Sequence, residues 1–238
     1  AVPGATGPPR RERPVKVLSW NLLRLTGAAA EDVAALAQKE RPDLFLMQEA
    51  TKHMETLPDL IGGHFHRLSW LGRIHGLAIW SPTPFPRPTA LSLPASRLPG
   101  RLPRRRAQIA QIGEITFANV HLSHGQLLNR RQLGRVAAAL HGRPSAIIGD
   151  YNAVGPVLLP GFVDVGPREP THLASNVVPF RLDRCLAHGL VCRSAYALDF
   201  GPSDHRPIRL ELDLADSNSA PATKARKPRK DRLRRFYR

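Results

Sequence analysis

Short apolar runs closed by turn residues recur along this chain, and their spacing predicts its elements. Residues 15–19 alternate as a strand and end at Trp20-Asn21. In residues 31–40, Val33, Leu36 and Ala37 fall at helical spacing, and Arg41-Pro42 stops the helix, because a residue before proline disfavours the helical region. Residues 44–47 read as a buried strand with Gln48-Glu49 at its tip, and residues 54–61 as a short helix ended by Gly62-Gly63. Residues 65–68 and 77–80 read as strands, and residues 82–103, with seven prolines, as a long irregular loop. Residues 107–112 and 114–120 flank Gly113 as a hairpin; one residue is too short a link, so Gln111 or Glu114 must join the turn.

Residues 126–140 predict a second amphipathic helix, with Leu127, Leu133, Val136 and Leu140 on one side and Arg130, Arg131 and Arg135 largely on the other. Residues 146–148 read as a buried strand running into Gly149-Asp150-Tyr151-Asn152. Strands at 182–187 and 191–198, joined at His188-Gly189, precede Ser203-Asp204-His205 and a last strand, 207–212. The chain has neither a Gly-rich phosphate loop nor a repeat of 20–50 residues. Strands and helices alternate early and strands dominate late, which predicts a mixed-sheet α/β fold.

Composition adds a question of charge. The 238 residues carry 35 Lys+Arg against 19 Asp+Glu, a net +16, with only two cysteines. Two cysteines exclude a disulfide scaffold and a zinc site built on several thiolates. No apolar run is long enough to span a membrane, and no signal-peptide pattern opens the sequence. Residues 1–14 hold +2 and residues 215–238 hold +7, and both stretches read as disordered basic extensions. The single domain left between them, 15–214, keeps +7. Between residues 60 and 113 there is no acidic residue, while Arg97, Arg101, Arg104, Arg105 and Arg106 all fall there, which predicts a basic face. A protein so basic is expected to meet a polyanion. Nucleic acid is the first candidate and anionic lipid the second, and the chain is expected to be an intracellular, cytoplasmic monomer.

Polar residues recur where apolar strands run out: Asn21, Glu49, His121, Asp150, Asn152, Asp183, Asp204 and His205. Singly, each is an ordinary turn former or helix cap. Together they suggest a site, because ligands of α/β sheets collect at strand ends. Carboxylates with an Asn are hard oxygen ligands for Mg²⁺ or Mn²⁺. His205 beside a carboxylate would be a general base or a transition-state hydrogen-bond donor. Asn21 and Asn152 can orient water and phosphate oxygens without adding charge. This set suits hydrolysis of a phosphate ester.

Six motifs carry a family resemblance: Ser19-Trp20-Asn21, Gln48-Glu49, Asn119-Val120-His121-Leu122, Gly149-Asp150-Tyr151-Asn152-Ala153, Leu182-Asp183-Arg184 and Ser203-Asp204-His205-Arg206-Pro207. In their order and spacing the chain resembles the endonuclease/exonuclease/phosphatase superfamily. These metal-dependent phosphoesterases include abasic-site endonucleases, pancreatic-type deoxyribonucleases, neutral sphingomyelinases and inositol-polyphosphate phosphatases. The resemblance implies a four-layer sandwich, two packed mixed β-sheets flanked by helices. It implies Glu49 as principal Mg²⁺ ligand with Asn21 and Asp204 close by. Asp150 would position or deprotonate the attacking water, and Asn152 would hold that water or the phosphate. His205, oriented by Asp183, would contact the phosphate, and His121 would donate to a non-bridging oxygen.

The expected function is therefore a Mg²⁺- or Mn²⁺-dependent phosphodiesterase acting on DNA or RNA. The alternatives are a phosphoesterase for phospholipid head groups, phosphoinositides or small phosphomonoesters, and a non-catalytic polyanion-binding protein. His124 reads as a surface residue, while His75, His172 and the remaining histidines show no partner pattern and receive no role. Arg130 and Arg131 read as a solvated face that could also meet a phosphate backbone, and Trp70, Trp80 and Tyr151 as core. Cys185 and Cys192 would oppose each other across a turn at His188-Gly189, within disulfide reach, yet without a secretory signal free thiols are expected.

Overall fold

The computed structural model describes residues 13–24, 26–70, 73–95, 104–174 and 177–215. The expected extensions lie almost wholly outside the described residues, as do Arg97 and Arg101. The chain begins with β1 (Val15–Asn21), α1 (Ala30–Glu40) and β2 (Leu44–Thr51). A 3₁₀ turn, Lys52–Thr56, leads into α2 (Leu57–Ile61), β3 (His64–Ser69), β4 (His75–Ser81) and β5 (Thr89–Ser92). Next come β6 (Arg106–Ile112), β7 (Ile115–His121), α3 (Gln126–Ala139) and β8 (Ser145–Asp150). Three short strands follow, β9 (Val163–Asp164), β10 (His172–Ala174) and β11 (Val178–Phe180), and then β12 (Asp183–His188), β13 (Leu190–Ala197) and β14 (Ile208–Leu214).

One six-stranded sheet has the order β13-β14-β1-β2-β4-β3 and the other β5-β6-β7-β8-β12-β9, with β10-β11 as a separate ribbon. Both are mixed. β1 pairs parallel to β2 across α1, and β7 parallel to β8 across α3. Between the sheets, Val17, Leu46, Ile79, Phe117, Ile148, Cys185 and Leu210 form a buried apolar layer. The outer face of the first sheet packs Leu18, Phe45 and Met47 on Val33 and Ala37 of α1. The outer face of the second packs Val120, Ile147 and Leu186 on Leu133 and Val136 of α3. The result is the expected helix–sheet–sheet–helix sandwich. Among the described residues no helix is long and apolar enough to cross a membrane.

Local chemistry explains the boundaries. Asp32 accepts a hydrogen bond from the Ala29 amide at 2.8 Å, closing the open N-terminus of α1. Arg41, at φ 49°, turns the chain out of the helix before Pro42. Gly113 at φ 59° and Glu114 make the β6–β7 turn, with Ile112 opposite Ile115, so Glu114 does join it.

Four readings of the sequence need correction. The loop 82–103 contains an edge strand, β5, over a proline-free stretch that pairs with β6. β2 does not stop at Met47: the ladder to β4 continues past a bulge between Gln48 and Ala50, so Glu49 is a bulged residue at φ 56°. Leu127 is 79% exposed, because Asn129 and Gln132 take the inward face of α3 and bond to backbone groups of Ser123, Pro94 and Tyr151. Finally, β12 and β13 are not a hairpin. The chain crosses from one sheet to the other at Gly189, so Cys185 and Cys192 lie in different sheets, and both are free thiols.

Candidate active site

Buried polar contacts tie four of the six motifs together before any catalytic group is considered. Gln48, fully buried, donates to Ser19 Oγ at 3.0 Å and to Asn119 Oδ1 at 2.8 Å. Asn119 in turn donates to the Met47 and Ala78 carbonyls, bolting the second sheet to the first. Trp20 Nε1 donates to the His205 carbonyl at 2.9 Å, and Ser203 Oγ donates to the Asn21 carbonyl at 2.7 Å. Each such bond offsets the cost of burying a polar group and fixes the strand end that carries a functional side chain.

Asp150 is the hub. It is 1% exposed. Its carboxylate accepts hydrogen bonds from Asn21 Nδ2 (3.0 Å), the Asn152 amide (2.8 Å) and Asn152 Nδ2 (3.1 Å). His121 Nε2 lies 3.4 Å from Asp150 Oδ2 and His205 Nε2 3.9 Å from it. Burial pushes the Asp150 carboxyl above its ordinary range, opposed first by the His205 charge. His205 Nδ1 lies 2.8 Å from Asp183 Oδ2, with Asp183 itself fully buried. Burial works to lower the His205 pKa, but Asp183, Asp150 and Asp204 overcome it and push it up to about 10. His121 is held well below its usual value, first by burial and then by Arg105. It is therefore neutral at pH 7.

Glu49 is half-buried, and burial raises its carboxyl against the pull of Arg24 and Arg105. A Glu at positive φ costs roughly 1–2 kcal/mol, so the bulge holds this side chain in place at the expense of stability. Asn21 Oδ1 accepts from the Leu23 amide at 3.2 Å, so this expected metal ligand also orients Asp150. Asp183 Oδ1 and Asp204 Oδ1 are buried without a hydrogen-bond partner. Four carboxylates lie at one end of the sandwich, two pushed up by burial and two with an orphaned oxygen each. The residues present fit a divalent cation, since these are hard oxygen donors.

Three further groups gather here that sequence reasoning passed over or placed elsewhere. His172 pairs through its backbone with His205, the two rings lie 4.4 Å apart, and its Nδ1 is 3.7 Å from Asp204 Oδ2. Its distance of over thirty positions from His205 in sequence gave no signal. Trp70 is core, as expected, but its ring contacts His121 and His75, and the Arg105 guanidinium stacks on it at 4.7 Å. Arg105 was expected on a nucleic-acid face; it lies near enough for Glu49 and Asp150 to act on its charge. Arg104 is exposed, Arg106 begins β6 opposite Ser92, and Arg130 and Arg131 are exposed on α3.

Two packed mixed sheets with Asp, Glu, Asn and His gathered at their strand ends define an α/β sandwich with a polar site at one end. The model of the Endonuclease/Exonuclease/phosphatase family matches residues 18–205, and the chain belongs to that family. Its members are hydrolytic phosphoesterases, and this is the activity class of the chain. No curated protein matches the sequence significantly. Among solved structures, a functionally unknown protein from Enterococcus faecalis V583 is similar with TM-score 0.69 and 19% identity over 84% of this chain and 99% of that one. A humanized D. rerio TDP2 gives TM-score 0.68 and 17% identity over 84% and 98%. The Bacteroides thetaiotaomicron mannosyl-6-phosphatase Bt3783 gives 0.64 and 17% over 83% and 99%. At these identities the likenesses show the fold alone.

Proposed function

We propose that this chain is a divalent-metal-dependent phosphodiesterase whose substrate is nucleic acid. The observation that carries the reading is the array Asp183–His205–Asp150–His121, a protonated imidazole and a neutral one on either side of a carboxylate whose oxygens are fixed by two asparagines. His205 at pKa about 10 keeps its proton at neutral pH, so it is a donor and not the base. Asp183 holds Nδ1 and leaves the Nε2 proton for a phosphate oxygen. Asp150, pushed up by burial, accepts the proton of the attacking water. Asn152 and Asn21 keep its carboxylate aimed. His121, neutral, offers one N–H to a non-bridging oxygen. A divalent cation held by Glu49 and Asp204, with Asn21 beside them, would supply Lewis-acid stabilisation of charge building on phosphorus.

Nucleic acid is favoured by Arg105 beside the site and by the net charge of +16. The test is a panel of abasic, nicked, single- and double-stranded DNA and RNA, with Mg²⁺, Mn²⁺ or EDTA. Cleavage with metal, lost in EDTA and in both Glu49→Ala and His205→Ala, is expected. Full activity of both variants would mean that the site is misassigned. Because one structure of the same fold is a mannosyl-6-phosphatase, sugar phosphates, phosphoinositides and phospholipids belong in the panel. Turnover of these alone, with nucleic acids intact, would replace the nuclease reading.

A further inference from the structure

We infer that His172, Asp204 and His205 form a second cation site, one that shares Asp204 with the cation proposed above and takes a divalent transition-metal ion of the Zn²⁺ or Co²⁺ kind in preference to Mg²⁺. One ligand atom from each residue lies within 4.8 Å of the other two, close enough for a single ion to gather them. The 3.7 Å between His172 Nδ1 and Asp204 Oδ2 is too long for a hydrogen bond, so the two are not spent on each other. His172 Nδ1 and Asp204 Oδ1 are buried and have no partner, a state that costs free energy unless a ligand relieves it.

The cluster is also built. The backbone of His172 bridges to that of His205, the Leu173 amide donates to the Asp204 carbonyl at 3.1 Å, and the Arg206 amide donates to the Thr171 carbonyl at 2.7 Å. Thr171 Oγ1 accepts from the Leu182 and Asp183 amides, tying the same segment to β12. Asp183, accepting at His205 Nδ1, sets the tautomer that leaves Nε2 free for a metal, the carboxylate–histidine–metal arrangement common to such sites.

Two imidazoles and one carboxylate make a donor set that borderline ions favour and Mg²⁺ does not. A metal on Nε2 displaces the proton there to solvent. Under the function proposed above, that removes the donor facing the phosphate, so occupancy inhibits hydrolysis.

The experiment is a Co²⁺ titration of the full chain in excess Mg²⁺, read by visible absorption. Nitrogen-ligated Co²⁺ is expected to appear, to yield to Zn²⁺ and to persist against Mg²⁺. His172→Gln, shown folded by circular dichroism, is expected to weaken Co²⁺ binding at least about tenfold. Where that variant does not fold, ¹⁵N-histidine NMR of the native chain serves, with Zn²⁺ expected to shift the His172 and His205 imidazoles. Unchanged Co²⁺ affinity in His172→Gln, displacement by equimolar Mg²⁺, or unshifted imidazoles would overturn the site. Zn²⁺ inhibition of the Mg²⁺-supported reaction, scaled to each protein's zinc-free rate, should ease in His172→Gln. Binding needs no substrate, so the two readings fail separately. An inactive protein with His172-dependent Co²⁺ binding loses the nuclease; an active one without such binding loses the cation site.

Discussion

Replacing Asp183 by Asn isolates the charge that holds His205 protonated. Asp183 is fully buried, accepts from His205 Nδ1 at 2.8 Å and registers opposite Asp150. An Asn there keeps the size and an acceptor for Nδ1–H but removes the charge. His205 rises from 6.5 to about 10 on folding despite burial. At about 1.36 kcal/mol per pH unit, that gap corresponds to stability on the order of 5 kcal/mol. The contribution is complete below pH 6.5, where the imidazole is charged both folded and unfolded. It declines as pH rises towards 10, because the unfolded chain releases its proton first. Urea unfolding in EDTA, at several pH values between 6 and 10, should show the native protein losing stability by up to this amount. Asp183→Asn should lose far less, and the difference between the two curves cancels the titrating groups that Asp183 does not act on. Activity in the variant should fall steeply at neutral pH, since a neutral imidazole that keeps its one proton on Nδ1 has none at Nε2 to give. Parallel stability curves for the two proteins would refute the reasoning.

The remaining predictions concern the margin of the site and the thiols. Arg105→Gln removes the guanidinium stacked on Trp70 and should raise KM for a nucleic-acid substrate about tenfold, with the salt dependence of binding reduced; unchanged steady-state kinetics would take Arg105 out of substrate binding. His75 is buried, and burial, then Arg24 and Arg105, lower its pKa to about 4. The unfolded chain therefore takes up this proton first, and stability should fall as pH drops from 6.5 towards 4. Acid titrations of native protein and His75→Gln should diverge in that window, and coincident curves would count against a neutral buried His75. Burial raises the Cys185 thiol well above its usual value and raises Cys192 less. A thiol reagent at pH 8 should thus find Cys185 only after denaturation, and rapid labelling of both thiols in the native protein would contradict its burial.

Much of this was legible because strands and motifs are local. β1, β4, β8 and β14 follow from short runs of apolar residues, and the six motifs do converge, four through Gln48, Asn119, Trp20 and Ser203 and the other two through Asp150 and Asp183. What escaped is set by partners. β5, β9, β10 and β11 have two to four residues, too few for a period to show, and they exist because an edge or a ribbon pairs with them. Gly189 looks like a hairpin turn, and nothing local says that the strands on either side join different sheets. His172, the first residue of β10, reaches the site through a backbone bridge to His205, a contact that no spacing encodes. The inward turn of Asn129 and Gln132 likewise depends on carbonyls that only the folded chain supplies.

The location of the site follows from the two parallel pairs. A strand–helix–strand crossover brings two C-terminal strand ends side by side: Asn21 opposite Gln48 in one sheet, His121 opposite Asp150 in the other. Packing the sheets face to face sets those ends together, and the Asn21–Asp150 hydrogen bond at 3.0 Å spans the join. Antiparallel neighbours then start where parallel strands finish. β12 begins at Asp183, opposite Asp150, and β14 follows His205 after two residues. Carboxylates from separate parts of the chain are thus forced into one small volume, within a protein whose net charge is +16. That opposition is consistent with both proposals: the net positive charge would draw in a polyanion, and the gathered carboxylates offer oxygen donors to a metal.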